Sequence, residues 1–192
     1  MRKLIAGMKM SVDVKIEGPD GMADWAESWS EDYGLMPQID ACLLGGGMYP
    51  GYERYWTSIQ NEPDTPVWIT GKPPTPGEHA WARFIKQTPH YVLSRTLTSA
   101  QWPNTHIIRR VDDIAALKQQ SGKDIYLVGG AQMTASLIDA GLVDELRIIL
   151  YPLIAGEGKP LFASTKHRRG LELRKTEPLS NGRVSLIYGI SP

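Results

Sequence analysis

The clearest break in the polarity pattern runs from Ile125 to Ala140. Ile125-Tyr126-Leu127-Val128 is an unbroken apolar run, and Gly129-Gly130 ends it. From Ala131 the period changes to a helical one, with Met133, Leu137 and Ala140 at i, i+4 and i+7. The run reads as a strand covered on both faces, and Ala131 to Ala140 as a helix. Gly141 stands just past its last turn, where a left-handed residue is favoured.

The same reading extends along the chain. Leu4 to Met10 is a first strand, and Ser11 to Asp24 a loop with turn chemistry at Gly18-Pro19-Asp20-Gly21. Trp25 to Tyr33 is predicted as a short helix with Trp25, Trp29 and Tyr33 on one face. Ala41 to Leu44 is a second buried strand, ended by Gly45-Gly46-Gly47. Met48 to Trp56 begins a helix that Pro50-Gly51 interrupts. Asn61 to Gly77 holds five prolines and reads as a loop, with room for a short strand at Val67 to Thr70. Glu78 to Gln87 is helical, Tyr91 to Leu93 and His106 to Ile108 are strands, and Asp112 caps a helix through Ser121. Leu146 to Tyr151 is a strand that stops at Pro152. Leu171 to Glu177 and Arg183 to Ile190 form a hairpin around Asn181-Gly182. Strand–helix units followed by a β-meander imply an α/β fold: a mostly parallel sheet with an antiparallel edge.

Composition narrows the function classes. The 192 residues fit one domain, 1–192. Lys+Arg and Asp+Glu are 21 each, which gives no electrostatic case for nucleic acid or an anionic membrane surface. The lone cysteine, Cys42, sits in an apolar run and reads as a small buried hydrophobe. The four histidines are scattered, so no metal site is expected. The N-terminal apolar run is too short for a secretory signal and no stretch is long enough to span a membrane, which makes a cytoplasmic location the expectation.

The strand–Gly-Gly–helix junction is either a tight βα turn or an anion cradle. Free N–H groups and the helix dipole attract a phosphate there, and glycines let the backbone approach it. The Gly45-Gly46-Gly47 junction repeats the arrangement, and ligands of open α/β sheets bind at the carboxyl edge of the strands. Arg95, just past a strand and next to Ser94, is a candidate for a ribose 2′-phosphate, because a guanidinium fork matches phosphate geometry. Asp32 borders the predicted Trp25–Tyr33 aromatic face. A carboxylate beside such a low-dielectric surface has a raised pKa and could hydrogen-bond or donate a proton to a substrate ring.

The segment from Ile125 to Phe162, with Val128-Gly129-Gly130-Ala131, Gly141-Leu142-Val143-Asp144-Glu145-Leu146, Pro152, Gly156, Gly158 and Leu161-Phe162, resembles the dihydrofolate reductase-like superfamily. It is most similar to the branch with the C-terminal reductase domain of bifunctional riboflavin-biosynthesis proteins, the RibD C-terminal-like family. Tyr91 to Leu97, Met10-Ser11-Val12-Asp13 and Asp24-Trp25 carry the resemblance further. It implies a three-layer fold and hydride transfer from NADPH to a C=N bond of a small substrate. The model reaction is that of 5-amino-6-(5-phosphoribosylamino)uracil reductase. Alternatives are a non-catalytic nucleotide- or flavin-binding domain, or a pterin or dihydrofolate reductase. By position, Val128, Gly129, Gly130, Ala131 and Gln132 would bind the cofactor, the last four at its pyrophosphate. Gly45, Gly46 and Gly47 would lie under its centre, and Ser94 and Arg95 would face the 2′-phosphate. Met10, Asp13 and Trp25 would border the substrate, and Asp32 would be the acid. A homodimer through the C-terminal strands is also implied. Two departures stand out. Gly46 and Met48 replace an arginine and a threonine frequent in the family, and Val14 replaces a glycine, so a different path is expected for the first loop.

Overall fold

The computed structural model describes residues 1–26, 29 and 33–191. Its strands are β1 (Leu4–Ser11), β2 (Lys15–Glu17), β3 (Ile39–Gly45), β4 (His90–Leu93), β5 (Thr105–Ile108), β6 (Asp124–Gly129), β7 (Glu145–Tyr151), β8 (Lys159–Pro160), β9 (Leu171–Pro178) and β10 (Val184–Ile190). Its helices are α1 (Tyr49–Asn61), α2 (Pro76–Gln87), α3 (Val111–Gln119) and α4 (Ala131–Asp139). Eight strands form one sheet in the order β5-β4-β3-β6-β1-β7-β10-β9. Neighbours from β5 to β7 pair in parallel, and β10 runs antiparallel to both β7 and β9. The fold is thus mixed α/β, mostly parallel, with the antiparallel hairpin at one edge. β2 and β8 pair separately as a small ribbon.

Alternation along the central strands builds two cores. Leu4, Ala6, Met8 and Met10 of β1 join Ile125 and Leu127 of β6 beneath α3 and α4. Ile5 of β1 and Tyr126 and Val128 of β6 face α1 and α2 instead, with Tyr52, Trp56, Trp81 and Ile85. A period of two sends successive residues to opposite faces, so both faces of an apolar run can be buried.

Several local expectations change. Pro50 sits in the first turn of α1, where it displaces no intrahelical hydrogen bond, so the helix runs uninterrupted to Asn61. Thr75 and Glu78 form a capping box at the start of α2, their side chains exchanging bonds with each other's N–H groups. Asp112 is not the cap of α3. Asp113 accepts from the N–H groups of Arg109 and Arg110 at 3.2 and 3.0 Å. Val67 to Thr70 is a turn around buried Val67, not a strand. Trp25, Ala26, Trp29 and Tyr33 are not helical; the rest of that predicted helix, Asp32 included, lies outside the described residues.

Val14 adopts φ 61°, the left-handed geometry a glycine would favour. The backbone therefore takes the path that a β-branched residue was expected to resist. Flanking bonds impose it: Val12 N–H to Leu153 O at 2.9 Å, Val14 N–H to Ser11 O at 3.0 Å, and Leu161 N–H to Val14 O at 3.0 Å.

Candidate active site

Because β3 and β6 are parallel neighbours, their two glycine junctions open on the same carboxyl edge. A cavity of about 660 Å³ lies there. Gly45, Gly47, Val128, Gly129, Gly130, Ala131 and Gln132 all line it. Gly129 and Gly130 have φ of 135° and 93°, a region L side chains rarely enter. A Cβ on Gly130 would meet no atom within 4 Å, so the turn is open rather than plugged. Gly130 is the N-cap of α4, and its carbonyl accepts from Thr134 N–H at 2.9 Å. The N–H groups of Ala131, Gln132 and Met133 precede the first intrahelical bond and are the donors such a site offers to an anion. The residues present fit a dinucleotide diphosphate.

Ser94 and Arg95 follow β4, on the far side of β3 from β6. Gly46 N–H bonds Leu93 O at 3.0 Å, which brings the two segments together. The Ser94 side chain fills the space a Cβ on Gly46 would need. This explains glycine where an arginine is frequent in the resembled family. The Ser94 hydroxyl oxygen accepts from Leu97 N–H at 3.0 Å and Thr96 N–H at 3.3 Å, and Arg95 is exposed. Arg109, absent from the sequence expectations, adds a second guanidinium here: its Nη1 donates to Ser94 O at 2.6 Å. Its position just past β5, mirroring Arg95 past β4, was the signal available.

Three residues expected at the substrate lie off the cavity lining. Met10 is even-numbered on β1 and points into the α3/α4 core, 6% exposed. Asp13 accepts from the Ser11 hydroxyl at 2.6 Å and from the N–H groups of Ala155 and Gly156, both at 2.9 Å. These donors hold its carboxyl down at about 2, so it is an ionised staple between the first loop and the turn before β8. Trp25 is half-buried. Asp32 falls outside the described residues.

Aromatic rings make up much of the remaining wall. Trp29, Tyr33, Tyr52, Tyr55, Trp56, Trp81 and Tyr126 line it, and sequence reasoning singled out few of them for this role. Gly7 makes the arrangement possible. A Cβ there would sit 2.8 Å from the Tyr33 ring and 2.9 Å from the Tyr126 ring, whose centroids are 6.1 Å apart. A glycine inside an apolar strand marks close approach of another group, so Gly7 was legible as a signal. Buried Glu78 anchors the same wall. It accepts from Tyr55 hydroxyl at 2.7 Å and Trp29 N–H at 3.1 Å. Burial opposes its ionisation, but these donors and Thr75 outweigh it and draw the carboxyl below its ordinary range. Glu17 and Lys159, from the β2–β8 ribbon, border the cavity as an ion pair at 3.2 Å.

Comparison with known proteins gives the family and the fold. The sequence profile of the family described as RibD C-terminal domain matches residues 2–185. The uncharacterized protein YyaP of Bacillus subtilis (strain 168) is 32% identical over 97% of this chain and 94% of its own length. The dihydrofolate reductase of Enterococcus faecalis, complexed with NADP(H), superposes with TM-score 0.60 at 16% identity, covering 99% of this chain and 97% of its own. A diaminohydroxyphosphoribosylaminopyrimidine deaminase/5-amino-6-(5-phosphoribosylamino)uracil reductase from Thermotoga maritima superposes with TM-score 0.63 at 13% identity, over 99% of this chain and 57% of its own. The fold is therefore dihydrofolate reductase-like, and the chain belongs to the RibD C-terminal domain family.

Proposed function

We propose that the protein is an NADPH-dependent reductase acting on a C=N bond of a small substrate, as in the reductase half of the riboflavin-pathway enzyme named above. The observation that carries this reading is the open Gly129-Gly130 turn at the head of α4, which lines one cavity together with seven aromatic side chains. When bound, the reduced nicotinamide supplies the hydride.

The chain's own part is placement. The amides of Ala131 and Gln132 hold the diphosphate, and Gly45 and Gly47 let the cofactor's centre lie close to the sheet edge. Arg95 and Arg109, past neighbouring strands, supply the charge for a 2′-phosphate. The rings of Tyr33, Trp56 and Tyr126 exclude water and keep the acceptor in contact with the cofactor. Holding reactants at about 3–3.5 Å is worth several kcal/mol of the barrier.

Titration with NADPH and NADH, followed by nicotinamide fluorescence, tests the reading. NADPH should bind more tightly. Arg95→Ala should weaken NADPH far more than NADH, and Gly130→Ala should weaken both about tenfold, because alanine rarely adopts the φ of 93° that shapes the turn. No binding of either dinucleotide at millimolar concentration would refute the assignment.

A further inference from the structure

A second cavity, of about 230 Å³, lies where the last turn of α1 meets α2, and it shares no lining residue with the first. Ile59 and Ala82, both buried, and Pro63 give it an apolar part. Gln60 Nε2 donates to Ala82 O at 2.9 Å, which ties the two helices together at this point. His79, Arg83 and Lys86 complete the lining. They stand at i, i+4 and i+7 on α2, so the helical period sets them in one row on one face.

Arg83 and Lys86 carry permanent charge, and His79 adds a ring N–H donor. Among the described residues, none of the three side chains belongs to an ion pair. Like charges one turn apart on a helix repel, so the row costs stability until a counter-charge enters. Glu78 of the same helix does not supply it, because its carboxylate is buried and bound to Tyr55 and Thr75. The carboxyl end of α1 does so only in part. It is worth about half an elementary negative charge, against the two permanent positive charges, and α1 has no basic residue of its own in its last turn.

Size and lining select the ligand. The cavity is smaller than the roughly 300 Å³ at which sites for drug-sized molecules begin, so it suits a small anion and not a nucleotide. A guanidinium fork pairs a carboxylate through two parallel hydrogen bonds, and an ammonium takes a second carboxylate as a point charge. Carbon atoms between two such groups would lie on Ile59, Pro63 and Ala82.

We propose that this cavity binds a small di- or tricarboxylate, with Arg83 and Lys86 on separate carboxylates and the hydrocarbon backbone against the apolar part. The inference is independent of the cofactor reading of the α4 turn.

Titration of the full-length protein with tricarballylate, inorganic phosphate and acetate, at fixed pH and ionic strength, tests it. The imidazole C–H signals in NMR are the readout. The chain has four histidines, so His79→Gln identifies the signal of His79. Tricarballylate should move that signal saturably and bind about tenfold more tightly than acetate, with phosphate between them, because a monovalent anion meets one cation only. Arg83→Gln and Lys86→Gln should each weaken tricarballylate about tenfold. Both side chains are exposed and glutamine is a good helix former, so the fold is kept. Added sodium chloride should weaken binding as well. Three results would overturn the proposal: no saturable shift of His79, equal affinity for acetate and tricarballylate, or a shift that both variants leave unchanged. An anion held instead at the Gly129-Gly130 turn, or at Arg95 and Arg109, gives the first of these. A row that serves only to complement the carbonyl end of α1 also gives the first, with Arg83→Gln and Lys86→Gln lowering thermal stability when no anion is present.

Discussion

Arg147 Nη1 donates to the carbonyl oxygen of Tyr33 at 2.8 Å, tying β7 to a residue that walls the cavity. The same guanidinium bonds Glu145 Oε1 at 2.6 Å and Gln38 Oε1 at 2.9 Å, and Gln38 Nε2 reaches Gly34 O at 2.7 Å. Arg147 stands beside Gly7 in the sheet register. The charge that holds the Tyr33 backbone and the gap that admits its ring are thus neighbours.

Replacing Arg147 by methionine leaves the Glu145 carboxylate buried with Lys3, at 3.8 Å, as its one cationic partner among the described residues. Losing one partner of a buried pair costs about 3 kcal/mol or more. Urea unfolding of Arg147→Met should show that loss, and Glu145→Gln in the same chain should restore part of it. A change below about 1 kcal/mol would contradict this account.

Val14 holds a left-handed conformation at φ 61° and is 40% exposed, so little burial is at stake. The strain of that region is about 1–2 kcal/mol, against about 0.5–1 kcal/mol for the extra freedom of an unfolded glycine. Val14→Gly should therefore stabilise the protein by about 0.5–1 kcal/mol in thermal or urea unfolding. Destabilisation would show that the flanking hydrogen bonds do not impose the geometry on a reluctant residue.

Gly46→Arg would restore the cation frequent in the resembled family, but its Cβ would overlap the Ser94 side chain. The substitution should cost about 1–3 kcal/mol, in line with other overpacked sites, and should not tighten NADPH. Adding Ser94→Gly should recover the stability. If the single variant proves fully stable, the reason offered for glycine at this position fails.

His90 is fully buried on β4 against the rings of Tyr52 and Trp102, with centroids 5.7 and 5.0 Å away. Burial pushes its pKa down from 6.5 to about 4. Between those values the unfolded chain takes up a proton that the folded chain refuses. The stability that neutral His90 contributes should therefore be lost as the pH drops below 6.5, and fully so by about 4, by up to roughly 3 kcal/mol. Glu78, Asp13 and Asp139, whose carboxyls are held below their ordinary range, add their own loss as the pH falls below about 4.5. Urea midpoints across this range check the slope, and His90→Phe should flatten it.

The alternating apolar runs and the glycine that ends each of β3 and β6 were enough to define a parallel sheet with two glycine junctions at one cavity. Those features depend on neighbours in the chain: a strand has a period of two, and a tight turn needs residues without Cβ. The aromatic wall was not readable in that way. Tyr33, Trp56, Trp81 and Tyr126 come from separate elements, and only the stacking of α1 and α2 on the sheet brings them together. The parity of β1 sent Met10 into the core and left Gly7 and Lys9 on the cavity side, which depended on which face each helix pair covers. Asp13 looked like a substrate ligand until the turn at Ala155 and Gly156, far away in sequence, took its oxygens. Local sequence thus determined where a ligand could approach the backbone. Packing between distant segments decided which side chains would meet it, because that choice depends on contacts no short stretch of chain contains.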